Sequence, residues 1–366
     1  MPDTAQDGDS GGRAFFGRPA VRICLALILG VVGAALARFA GIPLPYLIGP
    51  LLACAIAAIA GAPVAAIPYG RELGQVAVGL AIGLRFVPAV LLATFKLMPA
   101  MVLATIAMIV ATTMAAFMLQ KLAGVDRRTA FFSTAAAGIT EMAVVAHQKG
   151  ADSDTVALVH LVRVTAIVTT VPFLVTFFGT QGAIVSAPVQ FLDEAFPLAA
   201  LVVVAAAAAF LARRLRLPNT WLLVPAAIGA LVAGFGLGPF AIPPLLLTVA
   251  QIVIGVWLGC RFRRDILGGL PRVTASAFAT TAFLVAIACA LAWVLSATTG
   301  LSFVTSLLAV APAGITEMVL TATAMHLDAT TVTAFQITRI AVVMPTILLA
   351  FKVFETLSRR IDGAPR

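Results

Sequence analysis

Ala135–Val144 reads AAAGITEMAV, and Ala311–Leu320 reads APAGITEMVL. Each copy sets one glutamate, Glu141 or Glu317, inside an otherwise apolar run, and the two lie 176 residues apart. The same offset lays LGQVAVGLAIGLRF (Leu73–Phe86) on VAQIVIGVWLGCRF (Val249–Phe262), matching Gln75 with Gln251, Gly79 with Gly255 and Gly83 with Gly259. It also pairs Arg85 with Arg261, Asp152 with Asp328 and Arg163 with Arg339. A register that holds across several elements is the signature of a duplicated unit.

The chain is 61% hydrophobic and 11% charged over 366 residues, with a mean hydropathy of +1.09. Soluble domains carry about 25% charged residues, and apolar runs of ~20 residues, enough to cross ~30 Å of hydrocarbon, recur along the whole length. The composition predicts an all-α, multi-pass membrane protein without a soluble domain. The net charge of +9 then reads as a topology signal, because Lys and Arg collect in cytoplasmic loops; no nucleic-acid partner is expected.

Six hydrophobic elements are expected in each half, near 21–40, 44–61, 71–86, 97–120, 129–147 and 155–178, then 196–213, 219–237, 245–260, 273–297, 303–325 and 331–354. This divides the chain into a disordered leader (1–19), a first repeat (20–180), an acidic linker (181–195), a second repeat (196–356) and a tail (357–366). The leader is not expected to be a cleaved signal, since the second half keeps an equivalent first segment ending FLARR (Phe210–Arg214). Twelve full crossings would put Arg213–Arg216 and Arg261–Arg264 outside, against the charge rule. If one element per half enters and leaves on the same side, those clusters fall in the cytoplasm, and Arg38, Arg85 and Lys96 fall outside. The repeats then insert in opposite orientations, a recurrent plan of secondary transporters.

The GITEM segments are the natural candidates for that broken or re-entrant element. Gly138, Gly314 and Pro312 weaken helix continuity, and such breaks are tolerated in membranes only against protein or a wet cavity. Glu141 and Glu317 follow the breaks, and an intramembrane carboxylate costs ~2.5–3.5 kcal/mol on insertion scales. They are expected to relay a proton or cation, or else to form structural ion pairs. Arg163 and Arg339, each 22 residues later, must meet a carboxylate, backbone carbonyls or an anionic ligand; the two glutamates are their natural partners, and an anionic solute is a candidate contact. Thr140, Thr316, Gln75 and Gln251 complete the candidate site, as ligands for an ion or substrate or as bonds across helices. The GxxxG pairs at Gly79/Gly83 and Gly255/Gly259 point to close helix packing, and Asp152 and Asp328 to N-terminal caps.

No catalytic residue, cofactor or metal site is expected. His147, His160 and His326 show no ligand spacing and read as packing or helix-end residues. Cys24, Cys54, Cys260 and Cys289 form no CxxC pair and read as core residues.

The duplicated GITEM with its later arginine resembles the bacterial membrane AbrB family, named for a proposed regulator of aidB expression and distinct from the soluble DNA-binding protein of that name. The resemblance covers about residues 20–355. Single-copy family members imply a unit that dimerises, so a homodimer is one expectation. Family labels include gene regulator, transporter and ammonia monooxygenase. Copper oxidation chemistry would want clustered histidines, and direct regulation would want a DNA-binding module; the chain shows neither pattern. Its residues favour secondary transport of a small anionic or zwitterionic solute across the bacterial inner membrane, in contact with lipid. A membrane sensor acting indirectly on gene expression is the alternative, and a monooxygenase the more distant one.

Overall fold

The computed structural model describes residues 19–178, 191–215, 217–237, 240–262, 264 and 270–361. These residues are helical and contain no strand. The expected leader and much of the expected linker and tail lie outside them. The last residues of the expected linker do fall within the described residues, where α9 begins at Phe191 and takes Asp193 and Glu194 into its first turn.

The helices are α1 (Pro19–Phe39), α2 (Pro45–Ile59), α3 (Gly70–Gly83), α4 (Pro88–Lys96), α5 (Met98–Ala123), α6 (Arg127–Thr134), α7 (Ile139–Gln148) and α8 (Ser153–Phe178). The chain continues with α9 (Phe191–Ala212), α10 (Thr220–Gly234), α11 (Pro244–Gly259), α12 (Pro271–Thr299), α13 (Phe303–Val310), α14 (Ile315–Ala324) and α15 (Ala329–Ile361). Six stretches, within α1, α5, α8, α9, α12 and α15, are long and apolar enough to span a bilayer, which makes this a membrane protein. α2, α10, α11 and α14 are apolar but shorter; 15 residues rise only ~22 Å.

Sequence chemistry sets these ends. Proline stands in the first turn of α2, α4, α5, α11 and α12, where its missing N–H removes no intrahelical bond. Gly124 (φ +70°) and Gly300 (φ +74°) stop α5 and α12 in the left-handed conformation, which a residue without Cβ adopts freely. α4 was not foreseen, because the apolar pattern before residue 97 carries no break beyond Pro88.

The packing divides the chain into two units, Met1–Ala77 with Pro243–Asp265, and Val78–Ile242 with Ile266–Arg366. In the first unit α1 lies on α2 through facing glycines: a Cβ on Gly33 would meet the Gly49 carbonyl oxygen at 2.5 Å, and one on Gly49 would meet that of Gly33 at 2.3 Å. α11 covers α2 in the same way, with Gly255 and Gly259 each 2.5 Å, measured from a built Cβ, from the Leu47 and Leu51 carbonyl oxygens. In the second unit a Cβ on Gly79 or Gly83 would lie 2.4 or 2.2 Å from the carbonyl oxygen of Leu222 or Ala226 of α10. Both GxxxG pairs are therefore packing surfaces, and each faces a helix from the other half of the sequence. Cys54 is buried in the first unit's core, its thiol directed at the Ala26 carbonyl (3.4 Å).

Asp328 caps α15: its carboxylate accepts from the Thr331 amide (3.0 Å) and from the Thr330 and Thr331 hydroxyls (2.5 and 2.6 Å). Asp152 does the same for α8, accepting from the Asp154 amide (3.0 Å) and the Thr155 hydroxyl (2.5 Å). Burial works to raise the Asp328 carboxyl, but its hydrogen bonds outweigh this and hold it below its ordinary value.

Two outcomes follow from these contacts. Gly83→Ala should lower the melting temperature in detergent, by the ~1–3 kcal/mol of overpacking. Gly234→Ala, where a Cβ meets nothing within 4 Å, should leave it unchanged or raise it. Asp328→Ala should cost ~0.5–2 kcal/mol at neutral pH. Because the folded carboxyl titrates below its unfolded value, that contribution is present above about pH 4 and fades as pH falls further. Melting curves of wild type and variant should converge in acid.

Candidate functional site

Each GITEM segment is two helices joined by a short extended link. α6 ends as the Ala135 amide makes its last helical bond to Phe131, and α7 starts from Gly138, whose carbonyl accepts from the Met142 amide (3.0 Å). The second copy repeats this: Ala311 bonds back to Leu307 (2.9 Å), and α14 starts from Gly314, bonded by Met318 (3.1 Å). The first segment turns back on itself. Arg128, near its start, donates to the Lys149 carbonyl at its end (2.9 Å), and the Asp152 amide donates to the Thr129 hydroxyl (3.0 Å). α6 and α7 therefore form a helical hairpin whose two outer ends meet.

Each break strips main-chain carbonyls of their helical partners, and an orphaned buried carbonyl costs ~1–3 kcal/mol. The arginines supply the missing donors. Arg163 donates to the Thr134 and Ala135 carbonyls (2.7 and 2.9 Å) and, at 3.4 Å, to Ala137. Arg339 donates to Ala311 (2.7 Å) and Ala313 (2.8 Å). Both are buried, at 3% and 6% exposure. Of the partners expected for a buried arginine, main-chain carbonyls are the ones observed. Among the described residues no ion pair joins Arg339 to Glu317, while the expected pairing of Arg163 with Glu141 lies outside the described residues, as do the side chains of Glu141 and Thr140.

Sequence reasoning also missed His160 and Gln336, which stand 176 residues apart. His160 Nε2 meets the Phe132 carbonyl (2.8 Å), and its Nδ1 meets Arg163 Nη2 (2.8 Å). A neutral ring protonated at Nε2 satisfies both contacts, donating to the carbonyl and accepting from the guanidinium. Gln336 Nε2 donates to the Leu308 and Ala309 carbonyls (2.9 and 3.2 Å). Both side chains are fully buried. Matching by identity hid the pair; the offset would have found it. Among the described residues no three His, Cys, Asp or Glu side chains converge as metal ligands.

Glu317 is 3% exposed and sits in the first turn of α14. Its side chain folds back over Gly314, so close that a Cβ there would lie 1.9 Å from Oε2. Gly314 has an ordinary φ of −67°; glycine is needed at this site for room, not for backbone freedom. Oε2 has no hydrogen-bond partner, and neither do Gln336 Oε1, Arg339 Nε and Ser306 Oγ. Thr316 is buried and partnered. α13 and α14 both pack on α8, and α15 packs on α6, which brings the two broken segments together. Gln75 and Gln251 are buried in the first unit.

The family profile described as "Transition state regulatory protein AbrB" matches residues 2–120 and 46–355. The chain belongs to the AbrB family. Among its relatives, "Uncharacterized protein YhjN" of Bacillus subtilis (strain 168) is 29% identical over 343 residues, 87% of this chain and 89% of that protein. "Putative regulator AbrB" of Escherichia coli (strain K12) is 26% identical over 280 residues, 75% of each. The arginine-held breaks are thus features of an AbrB-family membrane protein.

The His160 geometry makes a direct prediction. His160→Gln, which copies Gln336, should keep a melting temperature near wild type, whereas His160→Ala should lower it by orphaning the Phe132 carbonyl, a loss of ~1–3 kcal/mol.

Proposed function

We propose that this protein is a secondary transporter of a small anionic or zwitterionic solute, coupled to a proton or cation through Glu317 and its counterpart Glu141. The observation that carries this reading is the unpartnered carboxylate oxygen of Glu317, buried at a helix N-terminus beside a helix break. A carboxylate retained only for structure would be fully hydrogen-bonded, since an unsatisfied buried charge costs several kcal/mol. An oxygen left without a donor suits a group that takes up and releases a proton or cation.

The surroundings support the same reading. The half-helices, with 8 and 10 residues, rise ~12 and ~15 Å, about half of a ~30 Å hydrocarbon layer. A hairpin of that length turns near the membrane centre, where transporter sites lie between broken helices of inverted repeats. The N-termini of α7 and α14 carry partial positive charge suited to an anionic group. The constant offset of 176 residues and the exchanged GxxxG contacts support two copies of one unit. The inner membrane of a bacterium is the compartment that fits this reading.

A sensor that acts on gene expression through a partner is the second reading, favoured by the name of the Escherichia coli relative. Proteoliposomes separate the two. In a panel of organic anions and amino acids, wild-type protein should couple solute entry to internal acidification or to a cation gradient. Glu317→Gln and Glu141→Gln should each abolish the coupling at unchanged melting temperature. Equal flux in both variants would remove the carboxylates from the mechanism. No flux with any solute, together with a partner crosslinked to Arg213 or Arg261, would favour the sensor.

A further inference from the structure

The mouth of the first hairpin holds an open cavity of ≈370 Å³ lined by Arg128, Gln148, Lys149, Gly150 and Phe351. Its charge is one-sided. Among the described residues neither Arg128 nor Lys149 is in an ion pair, none of the lining residues is acidic, and two nearby carboxylates are hydrogen-bonded to helix starts. Asp126 caps α6 through the Arg128 and Thr129 amides, and Asp152 caps α8.

The cavity is also built. Arg128 is fixed by its bond to the Lys149 carbonyl (2.9 Å). Gly150 takes φ +70°, and even a Cβ there would stand 3.4 Å from the Arg128 guanidinium, so this turn lets the cation lie against the backbone. Phe351 closes the inner wall, its ring 5.3 and 5.1 Å from those of Phe131 and Phe132.

Close to the cavity the surface changes character. Leu348, one turn before Phe351 on α15, is 44% exposed, and Val144, one turn before Gln148 on α7, is 52% exposed, while Lys352 beside Phe351 is exposed too. Arg128 stands seven residues before the end of α6 at Ala135, or ~10 Å along a helix. With that break near the membrane centre, a long basic side chain at the hairpin mouth reaches the headgroup level, half of ~30 Å away. A basic recess bordered by apolar, lipid-facing residues at that depth matches the phosphate of a phospholipid with its chains on the exposed face of α15.

We propose that this cavity binds the phosphate headgroup of an anionic phospholipid, held by Arg128 and Lys149 at the hairpin mouth. The proposal stands apart from transport: it requires only that the hairpin opens at the membrane surface. Native mass spectrometry of the delipidated full-length protein, re-supplied with phosphatidylglycerol or phosphatidylcholine, tests it. Wild-type protein should retain one phosphatidylglycerol under activation that strips phosphatidylcholine. Retention should fall about fivefold in Arg128→Ala, which removes one cation, and further in Lys149→Glu, which also adds a negative charge. The second variant keeps the backbone carbonyl that fixes Arg128 and so guards against misfolding. Arg213→Ala should retain the lipid. Equal retention of the two lipids by wild type, or of phosphatidylglycerol by wild type and Lys149→Glu, would overturn the proposal. So would displacement of phosphatidylglycerol by millimolar inorganic phosphate, which would name a free anion as the occupant.

Discussion

Main-chain carbonyls that lose their helical partners in a low-dielectric interior have to find donors, and the second unit of this protein is arranged around that requirement. Two breaks free carbonyls at 134–137 and 311–313. A guanidinium suits the task because its donors fan out in a rigid plane and cannot lose their charge, so one side chain serves two or three carbonyls. His160 and Gln336 stand one turn before the arginines and bind carbonyls two or three residues earlier in the chain. Each long helix thus supplies a ladder of donors that runs alongside a broken one. α8 and α15 must therefore lie parallel to α6 and α13, and their starting points must be fixed. The caps at Asp152 and Asp328 do this, eleven residues before each of the hairpin-holding arginines.

Because Arg339 is engaged by the backbone, Glu317 is not its counter-ion. The carboxylate instead folds back over Gly314, where only a residue without Cβ leaves it room, and its Oε2 stays without a hydrogen-bond partner in the first turn of α14. The break that frees carbonyls for Arg339 thus also makes the space that the carboxylate occupies.

Much of this architecture is legible in the sequence, for identifiable reasons. The breaks are visible because Gly, Pro and a glutamate interrupt an apolar run. The caps are visible because Asp precedes Thr at helix-start spacing, and the tight helix pairs because glycines recur every fourth residue. Each of these signals depends on one residue type with few alternatives. The donors to the breaks were read differently. For Arg163 and Arg339 the sequence allows carboxylates, main-chain carbonyls or an anionic ligand, and charge favours the acids; which carbonyls a break sets free is not written in a string of side-chain letters. His160 and Gln336 share a task through one N–H, and side chains that share only a donor look unrelated by type.

The difference between His160 and Gln336 also limits how symmetrical the two halves can be. Both breaks leave polar atoms over: Arg163 Nε and Ser133 Oγ at the first are without partners, as are Arg339 Nε, Ser306 Oγ and Gln336 Oε1 at the second. What differs is the contact between holder and arginine. His160 turns its second nitrogen onto Arg163, whereas the Gln336 amide donates only to main-chain carbonyls and leaves its oxygen without a partner. The ring therefore positions its guanidinium as well as a carbonyl, and the amide positions carbonyls alone.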